Sequence, residues 1–337
     1  MDKTEKGRVP MKIATIGSGF IVDRFMEAAR QVDGIEVYGV YSRTEERAKA
    51  FAEKHAVQNY FTDVDAMLAD QGYDTVYIAS PNSLHYEYAK AALDSDKHII
   101  CEKPFTSTVE ELETLIELSR DKGLFLFEAV TGIHLPHFRA IEQELHKVGD
   151  LKIIQANYSQ YSSRYDKLKA GEVPNVFNLE FSGGALADLN IYNLHFVIRL
   201  LGRPEAVTYV PNKFEGGVDT SGVCVLQYGN SVATCIGSKD TKSENSILLQ
   251  GDAGYIKVNG SANIIDSVEV VANGEEELID LGQNPNNMVA ELEDFEAMYR
   301  SRDHGAAEAW LEHSVSVMET FEKARESAGI IYPADRK

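Results

Sequence analysis

Cysteine is scarce in these 337 residues: Cys101, Cys224 and Cys235 are the only three. The count is odd, and no Cys-x-x-Cys pair or Cys/His cluster accompanies it. That argues against a disulfide scaffold or a metal site and for free thiols in a reducing compartment. Positive charge is also short. Lys and Arg total 33 against 53 Asp and Glu, a formal net charge of −20, which argues against a nucleic-acid or anionic-membrane partner. No stretch approaches the ~18 continuous apolar residues of a membrane-spanning helix. The opening MDKTEKGRVP is charged and lacks the apolar core of a secretory signal. Residues 1–10 read as a loose extension and the protein as cytoplasmic. There is no internal repeat and no low-complexity linker. The remaining composition, 44% hydrophobic and 26% charged, is that of a globular protein.

From Met11 to Val130 strands alternate with helices. Short apolar, β-branched runs at 11–17, 35–42, 59–61, 75–80, 98–101 and 124–130 read as strands. Helical spacing is read at 20–32, 44–55, 63–71, 83–95 and 109–123, the last with Thr108 and Glu111 as a capping box. Such alternation implies an α/β domain, a doubly wound parallel sheet over 11–130 that binds ligands at the carboxyl ends of its strands. Beyond 130 the alternation fades. A strand at 151–162 precedes a long polar segment, 162–184, suited to be a cover, and then a helix at 185–202. Strands at 207–214, 222–229, 231–238, 246–260 and 267–281 suit a mostly antiparallel sheet, with Gly-Asn and Asn-Gly hairpin turns at 229–230 and 273–274. Helices at 288–301 and 305–327 complete an α+β unit over 131–337.

The glycine-rich turn Gly17-x-Gly19 lies between the first strand and first helix, with Phe20 and Ile21 opening that helix. This is the setting of a dinucleotide fingerprint: Gly17 permits the tight turn, and Gly19 lets a pyrophosphate approach the helix N-terminus. The third small position is occupied by Val22. No carboxylate stands at the end of the second strand, where an NAD site has one. Ser42 and Arg43 stand there instead, and a hydroxyl followed by a guanidinium suits a 2′-phosphate. NADP is therefore favoured, with NAD as the alternative.

Several segments in order, GSGF, YSR, YIASPNSLHYEYAKAAL, CEKPFTST, DLNIYNLH and AELEDFEAM, together resemble the glucose–fructose oxidoreductase / inositol dehydrogenase (Gfo/Idh/MocA) family over nearly the whole chain. The resemblance implies a two-domain dehydrogenase whose second domain has a large, open mixed sheet that forms a homodimer or homotetramer interface. It implies that Lys103 of the Glu102-Lys103-Pro104 motif lies beside the nicotinamide, with a cis bond before Pro104. It also implies cofactor contacts from the segment holding Ser80, Asn82 and His85. For Asn82 a helix cap, and for His85 a first-turn surface position, remain equally open on the residues alone.

Asp188, Tyr192 and His195 are four and three residues apart, a single face on a continuous helix. In the family pattern Asp188 and Tyr192 match the substrate-binding carboxylate and the acid/base group, while Asn190 replaces a usual glycine. The expected chemistry is hydride exchange with a sugar, cyclitol or dihydrodiol. Lys103 would stabilise the oxygen and lower the Tyr192 pKa, Glu102 would hold Lys103, Asp188 would orient substrate, and His195 would touch it. A cofactor-binding sensor without turnover and a hydrolase using tightly held cofactor for transient oxidation are the alternatives. No metal is expected, and the partner is a small polyhydroxylated molecule.

Overall fold

The computed structural model describes residues 10–336. The extension expected over 1–10 lies outside the described residues, apart from Pro10. Six strands, β1 (Met11–Ile16), β2 (Ile35–Tyr41), β3 (Asn59–Phe61), β4 (Thr75–Ile78), β5 (His98–Glu102) and β6 (Leu126–Ala129), form a parallel sheet in the order β3-β2-β1-β4-β5-β6. The order reverses between β1 and β4, so a crevice opens at their carboxyl ends. β1, β4 and β5 are buried almost throughout, as strands covered on both faces must be.

Helices α1 (Phe20–Ala29), α2 (Glu45–Lys54), α3 (Val64–Ala69), α4 (His85–Asp94) and α5 (Val109–Lys122) fill the crossovers. α1 docks by stacking Phe25 on Tyr77 of β4, ring centroids 3.8 Å apart. Thr108 caps α5 by accepting from Glu111 N, and Glu111 accepts in return from Ser107 N. Gly123 closes the helix in the left-handed conformation at φ +64°.

The second sheet has eight strands: β7 (Leu151–Ser159), β8 (Ala206–Lys213), β9 (Asp219–Tyr228), β10 (Ser231–Ser238), β11 (Ser246–Gly251), β12 (Gly254–Ser261), β13 (Ile264–Ala272) and β14 (Glu275–Ile279). Their order is β14-β13-β12-β11-β7-β10-β9-β8, antiparallel except for the central β7–β10 pair. Asn273 and Gly274 turn the β13–β14 hairpin with both φ positive, the conformation an Asn-Gly turn requires. The single strand expected over 246–260 is two: Gly251-Asp252-Ala253-Gly254 breaks it into a hairpin, with Asp252 accepting from Asp150 N.

Helix α6 (Pro136–Glu144), which the pattern left unassigned, follows β6. The cover segment is ordered into α7 (Ser163–Lys169) and two short 3₁₀ turns, packed on a small core of Leu168, Phe177 and Val218. The helix expected at 185–202 begins as a π-turn at Leu186–Asn190 and becomes α-helical in α8 (Ile191–Leu201).

The last two helices, α9 (Met288–Ser301) and α10 (His304–Ser327), return to the first sheet. Phe295 stacks on Phe127 at 4.7 Å, and Met288, Leu292 and Ala307 share a core with β1 and α1. A cut at residue 130 thus divides the chain but not the packing. Buried Arg325 donates to Ser107 O and holds Asp335 with two nitrogens, while Tyr332 donates to Gly183 O. No helix among the described residues is long and apolar enough to cross a membrane.

Candidate active site

A cleft of about 510 Å³ lies at the crevice, lined by Gly17, Ser18 and Gly19 after β1, Ser42 and Arg43 after β2, and Ser80 after β4. Gly17 has φ +126°, and a Cβ there would stand 2.6 Å from Ala79 O, so only glycine permits this turn. Gly19 is different: a Cβ would meet nothing within 4 Å. The open space lies at the N-terminus of α1, whose backbone N–H groups suit an anionic ligand. Val22 turns inward and is fully buried below Gly17, so its departure from the usual small residue is absorbed by the core.

Ser18 and Ser42 share a hydroxyl contact of 3.1 Å. Arg47, in the first turn of α2, also lines the cleft. A dinucleotide bearing a 2′-phosphate therefore fits these residues, with Gly19 leaving room for the pyrophosphate and Arg43 and Arg47 available to the third phosphate. Phe20 and Ile21, expected to meet the cofactor, face opposite ways. Phe20 is 75% exposed, and Ile21 packs against the core of the first sheet.

His85 and Asn82 act on the frame of the cleft. The buried His85 ring spans from Ser80 O (3.0 Å) to Pro104 O (2.9 Å), bracing the ends of β4 and β5. Burial holds its pKa below the ordinary value. This replaces both the cofactor contact and the surface position considered from sequence. Asn82 is not a helix cap: its amide donates to Ser182 O at 2.9 Å, joining the first sheet's edge to the cover segment. Ser182 also meets Ser107, hydroxyl to hydroxyl, at 2.7 Å.

The peptide bond before Pro104 is cis. Lys103 Nζ donates to Asp188 O at 2.7 Å and to Asp188 Oδ1 at 3.2 Å, and it lies 4.7 Å from the centroid of the Tyr192 ring. The structure thus brings together the three residues singled out for chemistry, Lys103 from the end of β5, Asp188 from the π-turn and Tyr192 from the first turn of α8. A fourth was missed. Lys239, just past β10 and buried, pairs with Asp188 Oδ2. Burial alone would raise the Asp188 pKa; the two ammonium groups outweigh it and hold the carboxyl well below its usual range.

Three sequence expectations need correction here. Tyr192 is not an acidified phenol. Burial, followed by the nearby carboxylates Glu102, Asp188 and Glu291, pushes its pKa well above the ordinary value of 10.0. Lys103 is placed over the ring face and committed to Asp188, so it does not reverse this. Glu102 does not hold the Lys103 ammonium by a hydrogen bond, because Nζ is engaged by Asp188. Glu102 accepts from Tyr77 Oη at 2.7 Å, and burial raises its own pKa.

His195 does not face substrate. It is wholly buried, with Nδ1 3.1 Å from His313 Nε2 and Nε2 3.5 Å from Glu128, whose carboxylate accepts from Phe105 N and Ser314 Oγ. The π-turn upstream changes the angular spacing on which a shared face depends. Asn190, in that turn, donates to Cys235 O at 2.9 Å and is fully buried. A Cβ on Gly237 would come 2.6 Å from the Asn190 Cβ, so the glycine on β10 makes room for this side chain.

Comparison with known proteins places this geometry. A family model described as an oxidoreductase family with an NAD-binding Rossmann fold matches residues 11–130, and the GFO/IDH/MocA C-terminal domain matches 143–257. A scyllo-inositol 2-dehydrogenase (NADP(+)) of Bacillus subtilis is 36% identical over 97% of this chain and 99% of its own length. A trans-1,2-dihydrobenzene-1,2-diol dehydrogenase of Sus scrofa is 26% identical over 95% of this chain and 98% of its own. A 3-ketoreductase from Actinomadura kijaniata, solved with NADP and TDP-benzene, shares the fold at TM-score 0.84 and 22% identity, covering 94% of this chain and 98% of that one.

Proposed function

This chain belongs to the Gfo/Idh/MocA family of oxidoreductases, and we propose that it interconverts a hydroxyl and a carbonyl on a sugar, cyclitol or dihydrodiol-type substrate. The cofactor is NADP, held by the Gly17–Gly19 turn with Ser42, Arg43 and Arg47. When bound, its nicotinamide supplies or accepts the hydride. The observation that carries the reading is the meeting of Lys103, Asp188 and Tyr192 where β5 ends beside the cleft.

Lys103 presents its ammonium to the substrate oxygen, stabilising negative charge that develops there. Tyr192, kept protonated by burial, donates a proton to that oxygen when a carbonyl is reduced. In the oxidative direction the same proton must leave, so that direction gains as pH rises toward and past 10.0, the ordinary tyrosine value. Asp188 stays ionised, accepts from Lys103 and Lys239, and is the acceptor for a neighbouring substrate hydroxyl.

A homodimer or homotetramer through the outer face of the second sheet belongs to the same reading. Support comes from Ile153, Ile236 and Tyr255, apolar side chains exposed on strands of that sheet. A cytoplasmic setting is supported by three buried cysteines, all unbridged.

The test is a turnover screen at the cofactor absorbance. NADP⁺ and NAD⁺ are each supplied with inositols, aldoses and trans-dihydrodiols, and the Lys103→Met protein serves as the blank. Turnover with a polyol that disappears in the blank is the expected result. Cofactor binding with no turnover on any substrate would overturn the catalytic reading in favour of a sensor.

A further inference from the structure

In a molecule with 20 more acidic than basic groups, 53 against 33, many cations are claimed by a neighbouring carboxylate. Arg120, Arg139, Arg203 and Arg325 are each held in this way. Among the described residues several other arginines form no ion pair; Arg24 and Arg30 donate instead to Asn287 Oδ1 and His55 O, while Arg43, Arg47 and Arg164 line the cofactor cleft. Arg43 and Arg47 come from the first sheet's side. Arg164 comes from α7 in the cover segment, which also brings Pro174, Asn175 and Val176 to the cleft. Three guanidinium groups without carboxylate partners in one cleft mark a site for a multiply charged anion.

The segment that carries Arg164 is fastened at both ends. Ser162 N donates to Lys239 O at 2.9 Å. At the far end, Ser182 accepts from Asn82 and meets Ser107. Between them, Leu168 and Phe177 are buried with Val218. Arg164 is thus presented from an ordered backbone, which lowers the entropy lost on binding.

Building on the NADP reading above, we propose that Arg164 is a third ligand of the cofactor 2′-phosphate and a determinant of the choice between NADP and NAD. The phosphate is then gripped from both sides of the cleft, by Arg43 and Arg47 of the cradle and by Arg164 of the cover. A cofactor with a 2′-hydroxyl in its place gives Arg164 no anion to hold.

The test is direct binding of NADP⁺ and NAD⁺, by calorimetry, to the wild-type, Arg164→Ala and Arg43→Ala proteins, with melting curves to establish folding. Arg164→Ala should weaken NADP⁺ by about tenfold or more, the effect of losing one charge-assisted contact, and leave NAD⁺ within about twofold. Unchanged NADP⁺ affinity, or an equal loss for both cofactors, would overturn the assignment; the latter would move Arg164 to the pyrophosphate. Arg43→Ala separates the premise from the inference. If it too leaves NADP⁺ unaffected and the wild type binds both cofactors alike, the 2′-phosphate site itself is wrong.

Discussion

Lys239→Met removes one charge from the Lys103–Asp188–Lys239 cluster and keeps most of the side-chain volume. In the wild type the Asp188 carboxylate is shared: Oδ2 accepts from Lys239, while Oδ1 and the main-chain carbonyl accept from Lys103 at 3.2 and 2.7 Å. Without Lys239 the carboxylate has a single cation and tightens on it. Lys103 must then break a stronger pair before it can donate to the substrate oxygen. A charge-assisted hydrogen bond contributes about 1.5–3 kcal/mol. That corresponds to a roughly ten- to hundredfold loss in kcat/KM. NADP affinity should stay within about twofold, because Lys239 pairs with Asp188 and not with the Gly17–Gly19 or arginine walls of the cleft. The assay is steady-state kinetics in both directions, beside cofactor binding followed by fluorescence. A kcat/KM within threefold of wild type would refute the view that Lys239 tunes Lys103. A parallel collapse of NADP binding and melting temperature would assign Lys239 to folding instead.

Three further predictions concern the cleft and the residues beside it. Tyr192→Phe should lower kcat by ~10²–10⁴-fold, the usual contribution of a positioned proton donor, with NADP affinity unchanged. In the wild type, carbonyl reduction should hold its rate up to pH 10.0 because burial keeps Tyr192 protonated, and oxidation should climb with pH; a reductive rate falling between pH 7 and 8 in a Tyr192-dependent way would contradict this. Gly17→Ala places a Cβ 2.6 Å from Ala79 O at φ +126° and should cost ~1–3 kcal/mol of stability, together with most NADP binding. A melting curve and a titration check both, and a variant that melts and binds like wild type would remove the steric argument.

The fold was legible where a local rule operated at full strength. Gly17 and the run of buried strands announced the parallel sheet, and Thr108 with Glu111 announced α5. Lys103, Asp188 and Tyr192 were legible through motif and spacing, and they converge. Lys239 was not, because one lysine at a strand end has no periodic or motif signature. It reaches Asp188 only through the β7–β10 register and the π-turn packed on β10. The π-turn also undid the reading of His195, since spacing arguments assume an unbroken helix. The Tyr192 pKa went the other way from expectation because burial, invisible in sequence, outweighs a cation lying over the ring face. The 246–260 strand failed for a simpler reason: a Gly-Asp-Ala-Gly turn lay within it.

The fastening of Ser107 by Arg325 and of Gly183 by Tyr332 has a consequence in time as well as space. Ser107 follows the lysine motif closely and Gly183 precedes the turn that carries Asp188. A ribosome that has released both sheets has not yet released the clasp that secures these two loops. During synthesis these two loops, and the first sheet whose core takes Met288, Leu292 and Ala307, therefore wait for the last two helices before they are complete. A protease that removes residues 325–335 would unclasp both loops of the mature protein at once.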